Sequence, residues 1–129
     1  MKHVQFVRDV METKPVTVKT GESFKKLGKV LTEENLSNIA VVNEKGELAG
    51  IVSEQDVIKA MKTGDFMKKK ARDIMTKCVI SVKENDTLEV VAKIFTEKPF
   101  RRLPVVRNKK VVGSIQRDDI INTFMSSYY

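Results

Sequence analysis

The apolar positions along the chain predict short strands that alternate with amphipathic helices. Residues 16–18 form a brief β-rich run, and Ser23, a residue type that often caps helices, precedes apolar residues at helical spacing. Two further β-rich runs, residues 39–42 and 48–52, flank a polar stretch around Gly46, as is typical of a hairpin. A second amphipathic helix follows. The predicted order is therefore strand, helix, strand, strand, helix.

This order occurs twice. The sequence Val-Arg-Asp-Val-Met at residues 7–11 returns as Ala-Arg-Asp-Ile-Met at residues 71–75, an offset of 64. The offset falls to 63 after residues 39–42 and their counterparts 103–106, so the second copy lacks one residue of the hairpin turn. Surface turns tolerate such deletions. An internal repeat therefore organises the chain.

The repeat predicts two domains, residues 7–62 and 71–126, joined by a basic linker at residues 63–70. Neither copy has enough structure to close a core alone, because small domains bury too little of their surface. The apolar strands suit sheets that are covered by helices on one face and by the sister copy on the other. We therefore expect an α/β (α+β) fold in which the two copies pack together.

Composition and charge restrict the function classes. The chain carries 24 basic and 17 acidic residues, and the excess lies in the linker and the second copy, which favours anionic partners. No apolar run is long enough to span a membrane and the N-terminus does not resemble a secretory signal, so we expect a cytoplasmic protein without membrane contact. One cysteine and one histidine supply no zinc site and no activated nucleophile, so we expect no metal and no catalytic residue.

The doubled pattern resembles a tandem pair of cystathionine β-synthase (CBS) domains, the arrangement called a Bateman module. The resemblance rests on the Arg-Asp-hydrophobic-Met motif that opens each copy and on the motif Gly-hydrophobic-hydrophobic-Ser-x-x-Asp at residues 50–56. It extends over residues 7–126. It implies two β-α-β-β-α domains that pack sheet to sheet as an intramolecular pseudo-twofold pair. It also implies a cleft with two related sites for adenosine-containing ligands, through which such pairs regulate a partner.

Ser53 and Asp56 stand where the last strand of the first copy passes into the closing helix. The resemblance implies that they contact a ribose, and a carboxylate can accept hydrogen bonds from both ribose hydroxyls. The same spacing also fits a helix cap without a ligand. In the second copy Asp119 matches Asp56, whereas Gln116 replaces the serine. We therefore expect the Asp56 site to be the stronger one.

Arg101 and Arg102 precede the apolar strand of the second copy. The resemblance implies that they hold ligand phosphates at the centre of the cleft, together with Asp56, and guanidinium groups bind phosphate oxygens in a bidentate way. Their first-copy counterparts, Ser37 and Asn38, supply no charge, so we expect the other site to be poorer. The alternative is that both arginines are solvated charges at the entry of a strand.

The resemblance also implies an apolar slot for the adenine near the first strand of each copy. The residues concerned are Lys14, Pro15, Val16 and Thr17 in the first copy and Cys78, Val79 and Ile80 in the second. The alternative for Pro15 is a rigid turn. We expect Cys78 to be a small buried hydrophobe, because no histidine is available to activate its thiol.

The leading hypothesis is a non-enzymatic regulatory module that binds AMP, ADP or ATP, with S-adenosylmethionine as a further candidate. We expect the regulated partner to be a separate protein, because no catalytic domain is recognised in the chain. Similar pairs form homodimers through their helices, although the corresponding apolar residues could equally belong to the core. These residues are Val57, Ile58, Met61, Ile120, Ile121 and Phe124.

Other hypotheses stay open. A nucleic-acid-binding protein would use the basic linker with Arg107, Lys109 and Lys110, although the basic segments lack interleaved stacking aromatics. A purely structural dimerisation module is a second alternative. An enzyme is the least supported class, because the sequence has no Gly-rich phosphate loop, metal cluster or paired base and nucleophile.

Overall fold

The computed structural model describes residues 5–77 and 79–126. Each copy contains the predicted strand, helix, strand, strand and helix in that order, and each also begins with a short helix that was not predicted. A short 3₁₀ helix at Phe66–Lys68 separates the third and fourth α-helices. No helix in this part of the chain is long and apolar enough to cross a membrane. The other elements, in chain order, are α1 (Val7–Val10), β1 (Thr17–Lys19), α2 (Phe24–Glu33), β2 (Asn38–Val42), β3 (Leu48–Ser53), α3 (Glu54–Met61), α4 (Ala71–Ile74), β4 (Val82–Lys83), α5 (Leu88–Glu97), β5 (Arg102–Arg107), β6 (Lys110–Gln116) and α6 (Arg117–Ser126).

The strands form two three-stranded sheets, β1-β2-β3 and β4-β5-β6. In each sheet the first strand is parallel to the second, and the second is antiparallel to the third. The predicted mixed α/β class and the doubled element order are thereby confirmed. The shorter second hairpin turn places Asn108 and Lys109 at φ values of 50° and 69°. Two consecutive residues in the left-handed region are typical of a two-residue type I′ turn, which accounts for the residue that the second copy lacks.

Two compact units make up the chain. Among the described residues, the central unit comprises residues 16–77 and 79, and the terminal unit combines residues 5–15 with residues 80–126. Each unit has a core of its own between its sheet and its helices. The fully or almost fully buried residues of the central core include Leu27, Leu31, Ile39, Val41, Val52 and Ala71. Those of the terminal core include Val7, Val82, Val91, Leu103, Val105 and Ile115.

Each unit is built on the sheet of one repeat but contains the opening helix of the other repeat. Val7 of α1 is fully buried in the terminal core, and Ala71 of α4 is fully buried in the central core. The compact units therefore differ from the repeat boundaries at residues 7–62 and 71–126. The physical reason is that α1 and α4 each bury their apolar residue against the sheet formed by the other copy.

The chain that follows each opening helix also pairs with a sheet edge. Glu12 forms an isolated antiparallel bridge with Ser114 of β6, and Thr76 forms the equivalent bridge with Ile51 of β3. The outer edge of a sheet otherwise presents unpaired N–H and C=O groups. These two bridges, which we call the latches, satisfy part of each edge and hold each opening helix to its unit.

Candidate functional site

Ser53 and Asp56 form a closed hydrogen-bonded pair at the start of α3. The backbone N–H and the Oγ of Ser53 both donate to Oδ2 of Asp56, over 2.8 and 3.0 Å. The backbone N–H of Asp56 donates in turn to Oγ of Ser53, over 3.1 Å. The capping arrangement that the spacing allowed is therefore present. It fixes the carboxylate at the point where β3 passes into the helix.

The cap leaves part of the Asp56 carboxylate available. Both hydrogen bonds from Ser53 reach Oδ2, and no donor from the described residues reaches Oδ1. The side chain is half-buried, so solvent or a ligand has access to it. A carboxylate oxygen has two acceptor positions. Capping and ligand binding are therefore compatible roles for this residue.

The junction between the last strand and the closing helix is built differently in the second copy. The backbone N–H of Gln116 donates to Oδ2 of Asp119 over 2.9 Å, as Ser53 does for Asp56. The side-chain amide oxygen of Gln116 instead accepts a hydrogen bond from Nη2 of Arg102, over 3.0 Å. The register of β5 and β6 places Arg102 directly opposite Gln116. The side chain of Gln116 therefore contacts Arg102, whereas that of Ser53 caps its helix.

A third arginine stands beside the predicted pair. Arg101 is exposed and Arg102 is half-buried, and the carbonyl oxygen of Arg101 accepts from the backbone N–H of Arg117 over 3.0 Å. The Nε atom of Arg117 is buried and has no hydrogen-bond partner among the described residues. Sequence reasoning passed over Arg117. The available signal was its position directly after Gln116, at the start of the closing helix.

The first-copy counterparts of the arginines carry no charge, as the sequence indicates. Asn38 is buried and lies opposite Ser53 in the register of β2 and β3. The carbonyl oxygen of Ser37 accepts from the backbone N–H of Glu54 over 3.0 Å. Asp56 belongs to the central unit and the arginines to the terminal unit. The expectation that they act on one ligand stays a prediction.

The described residues predicted for the adenine lie just before the first strand of each copy, except Thr17, which begins β1. Lys14 is exposed, and its backbone N–H donates to Oε1 of Glu12 over 2.9 Å. Pro15 and Thr17 are half-buried, and Val16 is exposed. In the second copy Val79 and Ile80 are half-buried, and Ile80 packs against the terminal core. Cys78 lies outside the described residues.

The helix residues considered for dimer contacts divide into two groups. Val57 packs against the central core, and Ile120 is buried in the terminal core. These two residues serve the interior of their units. The remaining four are exposed, namely Ile58, Met61, Ile121 and Phe124.

The basic residues considered for nucleic acid are partly engaged elsewhere. Arg107 donates from Nε and Nη2 to the two carboxylate oxygens of Glu84, over 2.5 and 2.6 Å. This hydrogen-bonded pair lowers the pKa of the Glu84 carboxyl and raises that of the guanidinium. Lys109 and Lys110 are exposed. Within residues 5–77 and 79–126, no group of three or more His, Cys, Asp or Glu side chains could hold a metal ion.

The sequence matches a protein-family model and is similar to several curated proteins. A family model described as "CBS domain" matches residues 7–63 and 71–126. A homoserine O-acetyltransferase of Methanococcoides burtonii is 36% identical over 88% of the chain, and an L-aspartate semialdehyde sulfurtransferase of Methanocaldococcus jannaschii is 30% identical over 94% of it. Each match covers 23% of the relative. The chain thus spans about a quarter of the length of these two proteins.

Solved structures share this fold over nearly their whole length. The CBS domain pair of protein MJ0100, in complex with 5′-methylthioadenosine and S-adenosyl-L-methionine, has a TM-score of 0.83 and 28% identity and covers 97% of this chain and 99% of its own. CBSX2 in complex with AMP has a TM-score of 0.86 and 25% identity, with coverage of 96% and 98%. The three ligands differ in charge and size, but all contain adenosine.

Proposed function

The chain belongs to the CBS domain family, and from this membership we propose that it is a non-enzymatic regulatory module that binds an adenosine-containing ligand. The observation that carries the proposal is the fixed, half-buried carboxylate of Asp56, whose Oδ1 accepts no hydrogen bond from the described residues. The adenosine compounds bound to two similar CBS pairs support the ligand class. Regulation of a partner protein is part of the proposal.

Asp56 would bind the ribose through Oδ1. Because Oδ2 is occupied by both donors of Ser53, Oδ1 offers the free acceptor positions for ribose hydroxyls. The hydrogen bonds from Ser53 hold the carboxylate in one orientation before the ligand arrives. Little side-chain entropy is then lost on binding. In the described part of the chain, the Asp119 carboxylate accepts from the backbone N–H of Gln116 and lacks the second, side-chain donor that Ser53 provides to Asp56, so it is less firmly fixed.

Arg101, Arg102 and Arg117 would provide the phosphate contacts. Arg102 is held by Gln116 through one Nη2 donor, and its remaining guanidinium N–H groups are available to an anion. The buried Nε of Arg117 lacks an acceptor among the described residues, and a phosphate oxygen is a suitable one. Three cations favour AMP, ADP or ATP over S-adenosylmethionine, whose sulfonium group is itself positive.

Calorimetric titration with AMP, ADP, ATP, S-adenosylmethionine and adenosine tests the proposal. Asp56→Asn is the informative variant, because an asparagine oxygen can keep the contacts with Ser53 while the charge is removed. Asp119→Asn makes the same change at the equivalent junction of the second copy and should lower affinity less, because the Asp56 site is expected to be the stronger one. We expect Asp56→Asn to lower affinity for every ligand that binds by about tenfold or more, since a hydrogen bond to a charged group contributes about 1.5–3 kcal/mol. Equal affinity in wild type and Asp56→Asn would refute the ribose assignment.

The arginines require a separate comparison. Gln substitution of Arg101 and Arg102 should weaken AMP binding much more than adenosine binding, because only AMP carries the phosphate. Arg117→Gln should act in the same direction if its Nε meets the phosphate. Equal losses for AMP and adenosine would remove the phosphate role from all three arginines.

A further inference from the structure

The connection between the repeats is packed onto the first helix of the central unit. The backbone N–H of Phe24 donates to the carbonyl oxygen of Lys69 over 3.1 Å, and that of Arg72 donates to the carbonyl oxygen of Thr20 over 2.9 Å. The ring of Phe66 meets the ring of Phe24 edge-on, with centroids 5.5 Å apart. The segment is therefore a fixed part of the surface, and its charges are not those of a free tether.

This packing concentrates the positive charge of the chain. Residues 20–29 and 62–73 together hold eight basic and three acidic residues, in a chain whose net charge is +7. One acidic side chain, Asp73, uses its Oδ2 to accept from the backbone N–H of Lys70 over 2.7 Å. Lys29 forms an ion pair with Glu33, and the other seven basic side chains form none within the described part of the chain, namely Lys25, Lys26, Lys62, Lys68, Lys69, Lys70 and Arg72.

The helix contributes to the same positive field. Lys25 and Lys26 lie in the first turn of α2, which contains no acidic residue. The N-terminus of a helix is the positive end of its dipole, so lysines there are unfavourable. The linker backbone lies beside the start of α2, so the charges of the linker lysines further repel Lys25 and Lys26. A surface that accumulates uncompensated positive charge in this way is stabilised by an anionic partner.

An exposed apolar residue directly precedes the linker lysines in the chain. Met67 lies in the short 3₁₀ helix and is 55% exposed, between the half-buried Phe66 and the exposed Lys68. Exposed methionine adapts its shape to apolar side chains of a protein partner. Binding of single-stranded nucleic acid relies on exposed aromatic rings, and Phe66 already packs against Phe24. The chemistry therefore favours a polypeptide over a nucleic acid.

We propose that this surface docks an acidic polypeptide segment that carries an apolar side chain. The docking surface consists of Met67 and the seven unpaired cations named above. Carboxylates of the segment pair with the cations, and its apolar side chain covers Met67. The proposal goes beyond nucleotide binding and does not depend on it.

Three labelled probes of equal length and charge test the proposal by fluorescence anisotropy. The first is a glutamate-rich peptide with two leucines, the second has alanine in place of both leucines, and the third is a single-stranded oligouridine. We expect the leucine peptide to bind most tightly and to weaken as salt rises. Tighter binding of the oligouridine, or equal binding of the two peptides, would overturn the assignment.

Two pairs of lysine substitutions locate the binding surface. Lys25→Gln with Lys26→Gln should lower affinity for the leucine peptide about fivefold, since exposed ion pairs contribute modestly and several act together. Lys93→Gln with Lys98→Gln removes the same charge from exposed positions at α5 and should change affinity less than about twofold. Equal losses in the two pairs would mean that only net charge matters, and the surface would be wrong. Circular dichroism confirms that both variants are folded.

Discussion

Replacing Gly50 by alanine would test the latch that closes the edge of β3. A Cβ atom at this position would lie 2.7 Å from Sδ of Met75 and 2.8 Å from the carbonyl oxygen of Thr76. The methionine side chain can move away. The Thr76 carbonyl cannot move freely, because it accepts from the backbone N–H of Ile51 over 3.0 Å, while the N–H of Thr76 donates to the Ile51 carbonyl over 2.8 Å.

The expected cost follows from these contacts. Separating the two backbones weakens two hydrogen bonds, each with a net contribution of about 1 kcal/mol. Forcing an extra carbon into a filled space adds about 1–3 kcal/mol. The lower conformational freedom of alanine in the unfolded chain returns about 0.4–1 kcal/mol. We therefore expect the Gly50 variant to lose on the order of 2–4 kcal/mol of unfolding free energy.

Gly28→Ala is the matched control in the same unit. Gly28 lies within α2, and a Cβ there would meet no atom within 4 Å. Helix propensity then predicts a gain of about 0.5–1 kcal/mol. Urea unfolding followed by circular dichroism compares the two variants, and amide hydrogen exchange at Ile51 and Thr76 reports on the latch itself. A Gly50 variant as stable as wild type, with unchanged protection of these two amides, would refute the reasoning.

Three other variants test separate features. Ser53→Ala removes the cap of α3 and should cost about 1 kcal/mol in thermal unfolding; an unchanged melting temperature would contradict a stabilising cap. The hydrogen bonds from Arg107 lower the pKa of Glu84, so their stabilisation is present above the unfolded carboxyl value of about 4.3 and is lost as pH falls through the lowered folded value. Urea midpoints should accordingly separate wild type from Arg107→Gln at neutral pH and converge in acid, and a constant difference would argue against this pair. We propose a homodimer through the exposed side chains of Ile58 on α3 and Phe124 on α6; Lys substitution at both should lower the mass measured by sedimentation, whereas a monomeric wild type would exclude the dimer.

The sequence predicts the local elements well because their signals are local. Apolar spacing and the capping residue Ser23 place α2, and the missing turn residue correctly predicts the tighter second hairpin. The exchange of α1 and α4 between the repeats was not foreseen, because an offset between two copies does not say which sheet each segment joins. Gly50 and Gly113 held the relevant signal. Glycine inside a strand often marks a close approach of another backbone, and both positions face the latches.

The side-chain geometry of the candidate site was only partly predictable. The spacing of Ser53 and Asp56 allowed the capping pair that the structure contains. The hydrogen bond between Arg102 and Gln116 depends on strand register and on the conformations of two long side chains. Neither follows from residue spacing. Arg117 was overlooked for the same reason, since only the folded chain reveals a buried Nε without an acceptor.

The two junctions differ at the residue that ends the third strand, Ser53 or Gln116, and at the residue opposite it in the register, Asn38 or Arg102. The hydroxyl of Ser53 donates to Oδ2 of Asp56 and accepts from the backbone N–H of Asp56. The Ser53 side chain is therefore engaged at the start of α3 and does not reach across the sheet. A glutamine is too long for that role, and Gln116 reaches the neighbouring strand and holds Arg102. The first junction is thereby suited to accept hydroxyl donors and the second to present cations.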